Sequence, residues 1–199
     1  GNVLFLGLLL PPPASVAHTA LGHSLDLHQR DVRVFDNFQD PGAHDNDQEH
    51  PSFPGATGAT LAIWKGAVEW GSTAHGNGDG DPYQPGGLGS GGANFDPVFL
   101  GHATGVGAPG DNVHSALSGE TPGVLAFTEL GGSGWRIRYY EGSDWADGPD
   151  THTGGAVDLQ AVATHEYGHA LGLGHSSELA ASMYPVATAG AVAQRSIEA

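Results

Sequence analysis

Residues 165–175 read His165-Glu166-Tyr167-Gly168-His169-Ala170-Leu171-Gly172-Leu173-Gly174-His175, the pattern H-E-x-x-H-x-x-G-x-x-H. Two histidines four positions apart on a helix project from one face, about 6 Å apart along the axis, so both rings reach one tetrahedral ion. Gly172 sits one turn beyond His169, where a helix that must stop and fold back needs a residue free to adopt positive φ. That reversal brings His175, too far along to share the face of His169, to the metal as third ligand. Three neutral imidazoles leave a fourth position open for water, the arrangement of a catalytic rather than a structural zinc. Glu166, beside the first ligand, is placed to take a proton from that water. A lone H-E-x-x-H arises by chance in unrelated helices; the longer pattern is far harder to reach that way.

Downstream, Ser182-Met183-Tyr184-Pro185 supplies the only methionine of the chain. A methionine turn beneath a three-histidine zinc site marks the metzincin clan of zinc peptidases. With Ser176 directly after the third histidine, the chain resembles a matrixin, a matrix-metalloproteinase-like catalytic domain of bacterial type. The resemblance is strong over residues 154–185 and weaker over 30–145. It implies an α+β metzincin fold: a twisted mixed β-sheet with two long helices in an upper subdomain, and a small irregular lower subdomain after the zinc motif. It further implies zinc-dependent endopeptidase activity, with one catalytic zinc on His165, His169 and His175, Glu166 as general base and Met183 in the structural turn. In some related branches a tyrosine two residues past the methionine is an extra ligand; here that position is Pro185, so Tyr184 is not expected to bind metal. By the same resemblance, Leu125 and Ala126 pair with the substrate backbone, and Tyr184 and Pro185 begin the wall of the pocket that follows the scissile bond.

Outward from the motif, Asp31–Asp36 alternates polar and apolar residues and reads as a strand. Leu61, Trp64 and Val68 at helical spacing predict an amphipathic helix over 59–70, its apolar stripe facing the sheet. Residues 71–110 are too glycine-rich for much regular structure. Residues 123–128 resemble the sheet-edge strand of matrixins, and an extended substrate adding to such an edge gains main-chain hydrogen bonds. Residues 135–140 read as the next strand. The zinc helix is expected from Val157 or Asp158 to Gly172, with Asp158 favourable at its positive end.

The same strands depart from the animal enzymes. Phe127 and Arg138 stand where those enzymes place histidines for a second, structural zinc, and Tyr140 and Ser143 replace nearby calcium-binding carboxylates. No such second zinc is expected. His75, His102, His114 and His152 have no assigned role, and a lone loop histidine is ordinarily solvent-exposed. Asn77, Asp79, Asp81, Asn94 and Asp96 make a weak case for calcium, as do Asp45, Asn46, Asp47 and Glu49. Turn-forming tendencies of Asp and Asn account for the same residues without metal.

The chain has 199 residues, enough for one domain with a core, with 33 glycines, 13 prolines and no cysteine. Neither a disulfide nor a cysteine capping the zinc can operate within it. A formal charge of -16 makes nucleic acid an unfavourable partner. Residues 3–10 are apolar but too short to span a bilayer. Followed by prolines and small residues ending at Ala17 or Ala20, they read as part of a signal peptide over 1–20; a short buried core element shares that composition. Residues 21–199 would then be the catalytic domain, cut short in its C-terminal helix. The expected protein is a secreted monomer that takes protein or peptide substrates and does not insert stably into membranes. The alternative is a zinc-binding surface or adhesive protein that does not cleave.

Overall fold

The computed structural model describes residues 2–4, 20–22, 30–71, 97–132, 134–150, 152, 154–190 and 192–197. In chain order the elements are β1 (Asn2–Leu4), β2 (Asp31–Phe35), α1 (Gly58–Val68), β3 (Val98–His102), β4 (Val113–Leu117), β5 (Ala126–Gly131), β6 (Gly134–Tyr140), β7 (Trp145–Ala146), β8 (Val157–Asp158), α2 (Leu159–Ala170) and β9 (Val186–Thr188). The main sheet runs β3-β2-β4-β6-β5. Its first four strands are mutually parallel, and β5 closes one edge antiparallel to β6. This mixed sheet with two helices is the expected α+β architecture, and α2 packs against β5 and β6.

Local chemistry explains the elements. In β2, Val32 and Val34 are buried while Asp31, Arg33 and Phe35 lie half-buried between them, the period-2 alternation of a strand on a core. Asp158 caps α2, its side chain accepting from Ala161 N at 2.7 Å. The helix ends at Ala170, and Gly172 follows with φ 95°, the left-handed backbone that the motif required.

Helix α1 departs from the expected amphipathic pattern. Leu61, Trp64 and Val68 are core residues, but so is every other residue of the helix, Lys65 included. A helix enclosed on all sides carries no polar stripe. Gly66 is where it meets α2. A Cβ there would lie 2.8 Å from both Ala163 Cβ and Thr164 N and 2.9 Å from Gln160 O, so the two backbones touch with no room for a side chain. Gly66→Ala is therefore expected to destabilise the fold by about 1–3 kcal/mol through overpacking, despite the better helix propensity of alanine. The midpoint of urea unfolding checks it.

The sheet adds to the sequence reading in three places. Within residues 71–110, expected to hold little regular structure, β3 pairs with β2 at one edge of the sheet; residues 72–96 of that stretch lie outside the described residues. The edge strand begins at Ala126 rather than Gly123, because a turn bridging Thr121 and Val124, with Gly123 at φ 78°, occupies the earlier positions. Strand β4, unrecognised in the sequence, sits centrally between β2 and β6.

Strand β4 also removes His114 from the class of exposed loop histidines. It is fully buried, 2.9 Å from Tyr139 Oη through Nδ1 and edge-on to Trp135. Burial lowers its pKa to about 3. Because the folded pKa lies below the unfolded value near 6.5, this neutral ring contributes stability that is complete above pH 6.5 and is lost as pH falls toward 3. The contribution reaches roughly 5 kcal/mol at its limit. Unfolding midpoints of His114→Gln are expected to fall less steeply than wild type between pH 6.5 and 4.

Strand β1 pairs antiparallel with β9. Residues 5–19, with most of the apolar run and nearly all of both cleavage candidates, lie outside the described residues. No helix among the described residues is long and apolar enough to cross a membrane.

Candidate metal centre

His165 and His169 stand one turn apart on α2, and the chain reverses after Gly172 to bring in His175. One nitrogen from each ring lies within 4.8 Å of the others, the one group of three potential ligands among the described residues. His165 Nδ1 is 2.7 Å from Ser182 O, and His169 Nδ1 is 2.7 Å from Leu173 O. A carbonyl can only accept, so both Nδ1 atoms carry the proton of the neutral ring and both Nε2 atoms present lone pairs. Those Nε2 atoms face each other at 3.1 Å. Two lone pairs cannot hydrogen-bond to one another, and the distance is near the roughly 3.3 Å edge of a tetrahedral site with 2.0–2.1 Å zinc–nitrogen bonds. His175 Nε2 is also buried without a hydrogen-bond partner. The donor set therefore fits a zinc ion.

Burial favours the ligand state of the rings. It holds His165 well below its usual range, with neighbouring His169 adding to the effect, lowers His169 to about 4, and also lowers His175. Neutral imidazole is the form that binds metal.

The methionine turn supports this geometry from below. Its Ser182 carbonyl orients His165, while Ser176 N donates to Met183 O at 2.8 Å, tying the turn to the segment that follows His175. Met183 lies directly under Gly168, where a Cβ would overlap its Sδ. Tyr184 and Pro185 follow, half-buried.

Glu166 is fully buried, and burial pushes its carboxyl up to about 8. Thr128 on the edge strand hydrogen-bonds Glu166 Oε2 at 2.7 Å and opposes that rise, while Oε1 has no partner. Thr128 Oγ is also 2.8 Å from the main-chain oxygen of Glu166. Sequence reasoning missed Thr128, because only the register of β5 on β6 brings it to the zinc helix. The structure also separates Leu125 from Ala126. Leu125 O accepts from Tyr140 N, turning that peptide toward β6, so the alternation of the strand turns the Ala126 peptide to the open edge.

The residues in place of the animal enzymes' ligands make other contacts: Phe127 packs on Tyr140, and Arg138 Nη2 donates to Ala116 O. Asn77, Asp79, Asp81, Asn94, Asp96 and His75 lie outside the described residues. A wide concavity of about 800 Å³, lined by Asp31, Arg33, His102 and Asp111 among others, includes none of the triad. Among the described residues, the one group of three potential metal ligands lies at the histidines and not here.

Comparison with known proteins agrees with this geometry. Residues 100–198 match the family described as Matrixin. That stretch is similar to a matrixin domain. The chain is 48% identical over 64 residues to Metalloendoproteinase 4-MMP of Arabidopsis thaliana, covering 32% of this chain and 18% of that protein. It is 40% identical over 88 residues to Matrilysin of Rattus norvegicus, covering 44% and 30% respectively. Identity reaches 70% over 30 residues, 15% of this chain, with Metalloendoproteinase 1 of Glycine max, of which it covers 10%. The chain thus spans less than a third of each of these relatives. The matrixin-like domain implies zinc, and the three histidines are compatible with it.

Proposed function

We propose that this matrixin-like domain is a secreted zinc endopeptidase in which His165, His169 and His175 hold the metal and Glu166 is the general base. The observation that carries the reading is the pair of Nε2 lone pairs of His165 and His169, fixed at 3.1 Å by carbonyls that hold the protons on the opposite nitrogens. The three histidines would hold the ion, and bound there it would supply the Lewis acidity that activates water and polarises the scissile carbonyl. Glu166 takes the water proton and returns it to the leaving amine. Thr128 keeps one oxygen of that carboxyl occupied, so the other is the one available to water. Ala126 offers its peptide to an extended substrate, and Leu125 supports the strand from the core side. Tyr184 and Pro185 form the wall next to the scissile bond. No covalent intermediate is required.

The test is hydrolysis of an unstructured protein such as casein. Cleavage at internal bonds is expected, lost on chelation and restored by added zinc. Zinc bound without turnover on a broad peptide library would instead favour a zinc-binding surface protein. Export rests on the apolar residues 3–10 and the small residues after them. N-terminal sequencing of secreted material tests that part, and a mature chain retaining Leu4 would overturn it.

A further inference from the structure

Thr128 stands where the edge strand and the zinc helix meet. In β5 the side chains of Phe127 and Glu129 share one face of the sheet, on Tyr140 and Arg136, so the period-2 alternation turns Thr128 to the other face, toward α2. Its hydroxyl there meets two oxygens of a single residue, Glu166 Oε2 at 2.7 Å and the main-chain oxygen of Glu166 at 2.8 Å. A hydroxyl has one proton, and a carboxylate oxygen is the stronger acceptor, so the charged carboxyl receives it. The last torsion of a glutamate side chain is broad, with no staggered well to hold the plane of the carboxyl. A hydrogen bond to one oxygen supplies that constraint, and Oε1 has no partner that does so instead. Valine would fill the same β-branched volume on a strand, so packing alone does not call for a hydroxyl here.

We propose that Thr128 is a positioning residue, which sets the plane of the Glu166 carboxyl and ties it to the strand that receives the substrate. The inference rests on the reading of Glu166 as general base. Holding Oε2 leaves Oε1 as the oxygen that meets water. Holding it from β5 places that oxygen relative to the Ala126 peptide, two residues back on the same strand, where the substrate backbone pairs. Strand addition at the edge and proton transfer at Glu166 are then referenced to one element rather than to two that move separately. The second contact, to the main-chain oxygen of Glu166, fixes the hydroxyl against the helix that also carries His165 and His169. Rate depends steeply on such placement, and an error of about 1 Å costs up to about 100-fold.

The test is steady-state peptide hydrolysis by the full zinc-loaded chain in wild type, Thr128→Val, Thr128→Ser, Glu166→Gln and the double variant Thr128→Val with Glu166→Gln. Thr128→Val is expected to lower kcat by about 10-fold to 100-fold, with KM and zinc content at wild-type level, and Thr128→Ser to restore most of the rate. In the Glu166→Gln background the valine should cost less than about twofold, because no base is left to position. A crystal structure of Thr128→Val is expected to show the Glu166 carboxyl in more than one orientation, a readout independent of turnover. Unchanged kcat in Thr128→Val, or an equal loss in both backgrounds, overturns the proposal and leaves the base in place as long as Glu166→Gln is impaired. Loss of zinc from Thr128→Val together with its activity also overturns it, by making the residue a structural support. Full activity of Glu166→Gln removes the base itself, and the proposal with it.

Discussion

Replacing Glu166 with glutamine is expected to lower kcat/KM for peptide hydrolysis by about 10²–10⁴-fold, the range supplied by a positioned general base, while zinc content stays at wild-type level. The carboxyl is fully buried, anchored through Oε2 to Thr128 and unpartnered at Oε1. Glutamine fills the same volume and can keep the contact with Thr128, so the substitution removes proton acceptance and little else. The metal donors lie on other residues, with His165 and His169 each oriented by a carbonyl that the substitution does not touch. Full activity in this variant would move the base elsewhere. Loss of zinc together with activity would mean that Glu166 takes part in holding the ion.

The largest effect on stability is expected from Asp158→Ala. Asp158 joins two tasks at the start of the zinc helix. Its Oδ1 caps α2 by accepting from Ala161 N, and its Oδ2 receives Arg195 Nε at 2.9 Å and Nη2 at 2.5 Å. Arg195 is wholly enclosed and also donates to the carbonyls of Pro149 and Asp150. Removing the carboxylate leaves a buried guanidinium without its counter-charge, which costs about 3–5 kcal/mol, and the lost cap adds about 1 kcal/mol. For a chain of this size that corresponds to a melting temperature lower by about 10 °C or more. Asp158→Asn separates the two terms, since asparagine still caps but cannot neutralise Arg195. Arg195→Met should cost less than Asp158→Ala, because the stranded carboxylate keeps Ala161 N and the positive end of the helix. Equal stability of Asp158→Ala and wild type, measured by thermal unfolding, would remove the pair from the account.

The zinc motif was legible because its chemistry is local. Histidines at helical spacing, a glycine that must reverse the chain and a methionine turn each act within a few residues, and in the structure the three rings cluster and Gly172 takes a positive φ. What escaped was set by distant partners. Strand β4 has no clean alternation, because a strand central to the sheet is covered on both faces: Val113, His114, Ser115 and Ala116 are all buried. The enclosure of α1 depends on α2 and on the loop before it, so Lys65 reads as surface in sequence and is buried in the fold. Thr128 and Arg195 reach the zinc helix through strand register and the path of the C-terminal segment, and no short pattern announces either. The start of β5 shifted by three residues because a turn competes for Gly123, the kind of boundary that apolar content alone does not locate.

The most direct measurement of the central claim is peptide cleavage followed while zinc is titrated into metal-free chain. The expected result is cleavage at internal bonds that rises in proportion to added zinc, levels off at one ion per chain, and is absent throughout in His169→Ala. A chain that binds one zinc tightly through these histidines and cleaves nothing, or one that cleaves equally well without metal, would contradict the account.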